Sequence, residues 1–218
     1  MHKLNLAMEQ RTKMEYVFPY WGPLVFETQI DNELIDLLLE KGRETTKDAR
    51  KDLVGQIDKE LYYDNYYEWF IPKFEIYIKS YVDAAKNYAD NIPMKRILAG
   101  WYLEKLWINY QKANEYNPPH EHTGDLSFVI YLQVPEEIVK ENEKMKGVHN
   151  NDGPGVINFW VGSNMPFAIN KFSKMPSAGD IFIFPAWLPH YVNAFKSDVE
   201  RISVSGNICF ASETATQS

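Results

Sequence analysis

The stretch Asp180–His190 reads DIFIFPAWLPH and joins a short apolar run to a histidine. The run Ile181–Phe184 has the length of a buried β-strand, and the two prolines that follow it are typical of a turn. Because proline restricts the backbone, the histidine at the end of this turn is held in a defined place. We therefore predict a strand at Asp180–Phe184 and a candidate metal ligand at His190.

A pair of histidines precedes this stretch, in Asn117–His122, which reads NPPHEH. His120 and His122 are two residues apart, so an extended backbone puts both side chains on the same face, where they can chelate one metal ion. Non-haem iron oxygenases hold Fe(II) by a facial triad of side chains and leave other coordination positions open. A close pair together with the distant His190 therefore predicts a metal site of this kind.

The stretch Arg201–Phe210, RISVSGNICF, alternates between polar and apolar residues. Arg201, Ser203, Ser205 and Asn207 share one face of the predicted strand. This face is either exposed to solvent or lines the interior of a barrel. In the second case Arg201 offers a bidentate fork to a dicarboxylate and Ser203 adds a hydroxyl donor. The periodicity alone does not decide between the two interpretations.

Helical patterns dominate the first part of the chain, and strand patterns dominate the rest. One helix is predicted after Asp31, with Gly42 as its stop, and a longer one over residues 66–88. Residues 140–152 are predicted to be a surface loop. The predicted strands are 24–30, 103–112, 126–133, 155–161, 180–184 and 201–210.

This order of elements predicts an α+β fold in which helices pack on one face of an antiparallel sandwich or jelly roll. At 218 residues the chain is long enough for one domain and too short for two large ones. We therefore predict a single domain, 1–218. Its first part, 1–98, is mainly helical, and its second part, 99–212, holds the strands and the metal site.

Composition excludes several classes of protein. A net charge of −7 argues against nucleic acid as a partner, because such proteins need a basic patch. The longest apolar runs have only strand length, so no membrane segment is expected. The single cysteine, Cys209, cannot form an internal disulfide and fits a reducing compartment. We expect a cytoplasmic protein.

Several motifs, taken in their order along the chain, resemble a known family: the 2-oxoglutarate/Fe(II)-dependent oxygenase superfamily. More narrowly, the chain resembles uncharacterised oxygenases of phages and bacteria that are related to prolyl hydroxylases. The resemblance covers about residues 100–210. The motifs that carry it are His120-x-His122, the strand Leu126–Leu132, the segment Gly179–Pro185 leading to His190, and Arg201-x-Ser203.

The resemblance implies a double-stranded β-helix (jelly roll) with N-terminal helices packed on its outer sheet and iron at one mouth. It also implies Fe(II) and 2-oxoglutarate as cofactors and admits ascorbate as a further one. The distant carboxylate of 2-oxoglutarate would meet Arg201 and Ser203, and Tyr131 is a candidate second partner. A bacterial cell, with a phage as a further source of the gene, is the implied setting.

The sequence departs from the superfamily at one position. The common triad has Asp or Glu two residues after the first histidine, and here that position is His122. Either three histidines hold the iron, or a carboxylate from Asp125 or Glu121 replaces one of them. Glu121 is the weaker candidate because it points to the opposite strand face from its neighbours.

The resemblance therefore implies a dioxygenase that hydroxylates a C–H bond of a peptidyl or small-molecule substrate and releases succinate and CO₂. The pocket is expected to include Phe184, Trp187, Trp107 and Asn109, and no catalytic residue is expected beyond the metal centre. Two alternatives stay open. One is a cupin-like dioxygenase that has a three-histidine metal site and does not use 2-oxoglutarate. The other is a binding module that has the same barrel but catalyses no reaction.

Overall fold

The computed structural model of the protein describes residues 22–89, 91–145 and 152–211. In these ranges helices and strands alternate up to residue 145, and only strands follow. A short 3-10 turn lies at Arg50–Asp52. In chain order the elements are β1 (Phe26–Gln29), α1 (Asn32–Glu44), β2 (Lys47–Asp48), β3 (Glu60–Tyr62), α2 (Tyr66–Trp69), α3 (Ile71–Ala85), α4 (Met94–Ala99), β4 (Trp101–Gln111), β5 (Asn117–His120), β6 (Leu126–Gln133), α5 (Glu136–Met145), β7 (Ile157–Trp160), β8 (Lys171–Lys174), β9 (Asp180–Pro185), β10 (His190–Val192) and β11 (Arg201–Phe210).

The strands form two antiparallel sheets, which gives a mixed α/β fold. The large sheet has the order β1-β9-β6-β11-β4-β3-β2, and the small sheet has the order β5-β10-β7-β8. From β4 to β11 the chain passes repeatedly from one sheet to the other, so strands that are distant in sequence become neighbours. The N-terminal part of the chain contributes strands as well as helices, because β1, β2 and β3 extend the large sheet at both of its edges.

Two hydrophobic clusters hold these layers together. The larger cluster joins α1 and α3 to the outer face of the large sheet, where Leu38, Phe74 and Ile78 share it with Phe128 and Ile108. The second cluster lies between the two sheets and includes Phe159, Phe182 and Phe184. Burying side chains of this size stabilises the fold by roughly 2 kcal/mol each. The polar face of β11 is therefore turned toward the small sheet, and its apolar face toward the helices.

The helices follow local sequence signals, with one correction at Gly42. Asp31 caps α1, since its carboxylate accepts a hydrogen bond from the backbone N–H of Leu34 at 2.8 Å. The helix continues past the predicted stop at Gly42 to Glu44. A Cβ at Gly42 would lie 2.5 Å from Ile108 Cδ1 and 3.0 Å from Tyr110 Oη. The glycine therefore allows close packing against β4 and does not end the helix.

Two other predictions were partly wrong. The helix predicted over 66–88 is two helices, α2 and α3, because Pro72 in the first turn of α3 has no N–H and its ring crowds the carbonyl four residues earlier. The segment predicted as a surface loop from residue 140 is α5 as far as Met145, and residues 146–151 lie outside the described residues. No helix within 22–89, 91–145 and 152–211 is long and apolar enough to span a bilayer.

Candidate metal centre

The pairing of β5 with β10 brings the three histidines together. His120, the last residue of β5, lies directly opposite His190, the first residue of β10. His122 follows β5 and is fixed by its backbone N–H, which donates to the carbonyl of Ala186 at 2.9 Å. Gly124 then turns the chain with φ +95°, a conformation that other residues rarely adopt. One ring nitrogen from each histidine lies within 4.8 Å of the others.

Hydrogen bonds orient two of these rings. His120 Nδ1 lies 2.7 Å from the carbonyl oxygen of Pro118, and His190 Nδ1 lies 3.0 Å from that of Leu188. Because a carbonyl only accepts, each Nδ1 carries the proton and each Nε2 keeps a free lone pair. The Nε2 atoms of His122 and His190 are 3.2 Å apart. Two nitrogens that each lie about 2.1 Å from one shared ion have a separation of this order.

The electrostatic setting keeps all three imidazoles neutral. Burial, helped by the other two histidines, lowers the pKa of His122 to about 2. Burial, helped by His120, lowers the pKa of His190 to about 3. Burial also lowers the pKa of His120, against the effect of its hydrogen bond to Pro118. Neutral imidazole is the form that binds a metal, so protons do not compete at neutral pH.

The carboxylates considered as replacement ligands lie elsewhere. Asp125 accepts two hydrogen bonds from the guanidinium of Arg96, both at 2.8 Å, and one from the backbone N–H of Phe210. Glu121 is exposed to solvent. Within the described ranges, the group of side chains that could hold a metal consists of the three histidines alone. The geometry therefore brings together a nitrogen-only set of ligands.

A cavity between the two sheets contains these histidines and the polar face of β11. Counting the part open to solvent, its empty space amounts to about 460 Å³. Trp107, Asn109 and Phe184 line it as expected, whereas Trp187 does not and is 54% exposed. Sequence reasoning did not single out Asn117, whose strand is too short to be read from its own pattern. Other side chains of the lining are His120, His122, His190, Phe128, Val129, Tyr131, Ile157, Val192, Arg201, Ser203 and Ser205.

Arg201 and Tyr131 bring buried, unsatisfied polar atoms into this cavity. Arg201 is 2% exposed and donates to the carbonyl of Gly155 at 2.6 Å and to Oε1 of Gln111, but its Nε–H has no partner. Tyr131 is 1% exposed, and its hydroxyl is also unpaired. Burial lowers the pKa of Arg201 and raises that of Tyr131 to about 12. A buried cation beside unused donors is the setting in which an anionic ligand binds well.

Ser203 completes this group of donors. It is directly opposite Tyr131 in the β11–β6 pairing and opposite Asn109 in the β11–β4 pairing. Asn109 Nδ2 donates to Ser203 Oγ at 3.3 Å, which leaves the serine hydroxyl hydrogen free to donate. The polar face of β11 thus lines an interior, and this removes the solvent-facing interpretation of the strand.

Comparisons with known proteins agree with this geometry. Residues 105–207 match the family model described as "Putative 2OG-Fe(II) oxygenase". No curated protein matches the sequence. Among solved structures, a Pseudomonas putida prolyl-4-hydroxylase is similar with a TM-score of 0.54 at 12% identity, over 86% of this chain and 93% of that one.

Two further structures have a similar fold. A viral collagen prolyl hydroxylase from Paramecium Bursaria Chlorella virus-1, in a 2OG complex, gives a TM-score of 0.50 at 14% identity, over 86% of this chain and 96% of that one. HygX from Streptomyces hygroscopicus, with nickel, 2-oxoglutarate and hygromycin B bound, gives a TM-score of 0.51 at 10% identity, over 86% of this chain and 82% of that one. At such identities the likeness establishes the fold alone.

Proposed function

We propose that this chain is a 2OG-Fe(II) oxygenase, the family whose model matches residues 105–207, and that it hydroxylates a C–H bond of a peptide or small-molecule substrate. The observation that carries the proposal is the joint presence, in one cavity, of a three-histidine cluster and of buried donors that lack partners. The first suits a metal ion and the second suits a carboxylate.

For the metal, we propose His120, His122 and His190 as ligands through their Nε2 atoms. Neutral imidazole suits iron among other first-row metals. The 3.2 Å between the Nε2 atoms of His122 and His190 fits one shared ion, and a ring nitrogen of His120 lies within 4.8 Å of both residues' ligand nitrogens. When bound, iron and 2-oxoglutarate supply the oxidising power that inserts one oxygen atom of O₂ into a C–H bond, with succinate and CO₂ as co-products. The protein orients these groups and excludes water through Phe184 and Trp107.

For 2-oxoglutarate, we propose that its distant carboxylate binds Arg201, Ser203 and Tyr131. These residues lie along the strands from the histidines: Ser203 is about 7 Å along β11 from Ser205, which pairs with Trp107 beside His122. The carboxylate would accept hydrogen bonds from the Nε–H of Arg201 and the hydroxyl of Tyr131, the two buried side-chain donors that lack a partner in the described part of the chain.

For the fold, we propose that β4 to β11 form a double-stranded β-helix. The alternation of these eight strands between two facing antiparallel sheets supports this topology. We also propose that the whole of residues 1–218 forms one domain. The packing of α1 and α3 against the outer face of the large sheet supports this, because both parts of the chain share one hydrophobic cluster.

The test is an anaerobic titration with Fe(II) and 2-oxoglutarate. Its readout is the weak visible charge-transfer band of a metal-chelated 2-oxo acid. We expect the band, and succinate after O₂ is admitted. His122→Ala should abolish the band because the metal is lost. Arg43→Ala, a control at an exposed position of α1, should leave it unchanged.

Tyr131→Phe gives the sharpest test of the co-substrate site. Because the hydroxyl is buried and unpaired, its removal should leave the free protein as stable as before or stabilise it by about 1 kcal/mol. The same change should weaken 2-oxoglutarate binding by about tenfold, since one hydrogen bond to a charged group is lost. A Tyr131→Phe protein that binds 2-oxoglutarate as tightly as wild type would contradict the assignment.

The nitrogen-only ligand set also favours a second function, a three-histidine metal dioxygenase that does not use 2-oxoglutarate. It predicts metal-dependent O₂ uptake that 2-oxoglutarate does not change. A binding module without turnover predicts metal or ligand binding with no O₂ consumed. The buried and unpaired Nε–H of Arg201 favours use of 2-oxoglutarate over the first alternative, and O₂ consumption distinguishes the enzyme from the binding module.

A further inference from the structure

Glu60 on β3 is a buried carboxylate without a partner. The residue is 1% exposed, and its Oε2 has no hydrogen-bond partner. No ion pair or side-chain hydrogen bond joins it to another residue of the described part of the chain. An uncompensated charge in a protein interior costs several kcal/mol, so such a group calls for an explanation, and a bound ligand is one.

The position of Glu60 connects it to the cavity. Glu60 pairs with Asn109 across β3 and β4, and both side chains lie on the face that looks toward the small sheet. The two flanking residues exchange the ladder hydrogen bond, Tyr110 N–H to the carbonyl of Lys59, so Glu60 and Asn109 form the closer, non-hydrogen-bonded kind of pair. Asn109 lines the cavity that holds the histidines.

A second neighbour of Glu60, Asn117, comes from β5. A Cβ on Gly55 would collide with Glu60 Oε1 and would lie 2.8 Å from Asn117 Oδ1, so both oxygens face the same point. Asn117 also lines the cavity. The absence of a side chain at Gly55 leaves this space to the two oxygens. Glu60 therefore adjoins the part of the cavity wall that Asn109 and Asn117 form.

The buried atoms of this group that lack partners, Glu60 Oε2 and Asn109 Oδ1, are hydrogen-bond acceptors. Asn109 gives its Nδ2–H to Ser203, while its Oδ1 is buried and unpaired. The nearest influences on Glu60 are mostly negative: Glu115 and Asp48 repel its charge, and the guanidinium of Arg50 is already paired with Asp48 at 2.7 Å. Burial first, and then Glu115, raise the pKa of Glu60 to about 7. A ligand that brings N–H donors and a positive charge would satisfy all of these atoms.

We propose that Glu60, Asn109 and Asn117 form a subsite that binds a protonated nitrogen, ammonium or guanidinium, of the primary substrate. This inference rests on the proposed function and narrows it to cationic substrates. Asn117 precedes His120 by three residues on β5, which corresponds to about 10 Å of extended strand. The nitrogen and the hydroxylated carbon are therefore separated by several bonds. The net charge of −7 also favours the approach of a cation.

The probes for the test are n-butylguanidinium, n-butylammonium and the neutral isostere n-butylurea. Each is titrated into protein loaded with Mn(II) and 2-oxoglutarate, and binding is followed by the paramagnetic relaxation of the butyl protons. We expect both cations to bind at least about tenfold more tightly than n-butylurea. Glu60→Gln should reduce this ratio to about one, and Asn117→Ala should lower it in part. The control Glu40→Gln, at an exposed position of α1, should keep the full preference.

Several results overturn the proposal. They are equal binding of cation and isostere, absence of binding by all three probes, and a Glu60→Gln protein that keeps the preference. Affinities for Mn(II) and 2-oxoglutarate are measured in the same samples. If these are normal while the cation preference is missing, the subsite is refuted and the proposed function stands. Titrating the probes into metal-free protein, with binding followed by calorimetry, gives the converse separation, because the subsite itself contains no metal ligand.

Discussion

Replacing Glu60 with glutamine should make the free protein more stable at alkaline pH, by an amount that follows from one pKa. In the unfolded chain the carboxyl has its ordinary pKa near 4.5, and in the folded protein that pKa is about 7. Each unit of difference corresponds to about 1.4 kcal/mol, so the folded protein carries a penalty of at most about 3 kcal/mol when Glu60 is ionised. Glutamine carries no charge at any pH and lacks this penalty.

The sign of the pH dependence follows from proton binding. Between the two pKa values the folded state holds the proton and the unfolded state has lost it, so unfolding releases a proton and stability falls as pH rises. The penalty is absent below pH 4.5 and complete above about pH 7. The desolvation of the glutamine amide adds an offset that does not change with pH. The change with pH in the stability difference between the two proteins therefore measures the effect of the carboxylate alone.

Urea unfolding of metal-free wild type and Glu60→Gln at about pH 5 and about pH 8 measures this difference. The stability of the variant relative to wild type should rise by about 2–3 kcal/mol between the two conditions. Glu40→Gln, at an exposed position, serves as the matched control and should show no such rise. A relative stability of Glu60→Gln that is flat with pH, or that falls, would refute the buried and unpaired state assigned to Glu60.

Three further outcomes are expected from other parts of the molecule. Asp125→Asn should cost about 2 kcal/mol in urea unfolding because the charged pair with Arg96 is lost, while metal affinity measured by titration stays unchanged. Gly206→Ala should lower stability by about 1–3 kcal/mol in the same assay, since a Cβ there would lie 2.7 Å from the ring of Phe128. Anaerobic Fe(II) at 100 times its Kd should stabilise wild type by about 2.7 kcal/mol, and His122→Ala should abolish this gain.

The strands that sequence analysis predicted best are those whose pattern is long. Leu126–Gln133 and Arg201–Phe210 have the predicted bounds, because eight to ten residues of apolar or alternating character leave little ambiguity. β5 and β10 have three or four residues each, and β5 contains two prolines, so neither has a readable pattern. They exist because each pairs with a distant strand. The sequence pointed to the histidines through their spacing, but the pairing that joins them is a property of the whole fold.

The same distinction explains which polar residues could be found. Arg201 and Ser203 lie on a strand with a clear alternation, so their common face could be proposed from the sequence, whereas Tyr131 was suggested only by the family resemblance. Glu60 lies on a three-residue strand within a charged stretch, and in sequence it resembles any exposed glutamate. Its burial depends on the pairing of β3 with β4, whose partner residue is far along the chain. No local signal reports such a contact.

The charges in and beside the cavity define two regions that prefer ligands of opposite charge. Three neutral imidazoles bring no negative charge to a bound metal, so the metal keeps its full positive charge, and Arg201 adds another without a carboxylate partner. This region favours a dianion such as 2-oxoglutarate, which would neutralise both. On the side toward β3, Glu60 supplies the opposite charge next to acceptor oxygens. In the proposed arrangement these opposite charges direct an anionic co-substrate to one region and a cationic substrate to the other. Because the two bound ligands would carry opposite charges, we expect each to strengthen the binding of the other.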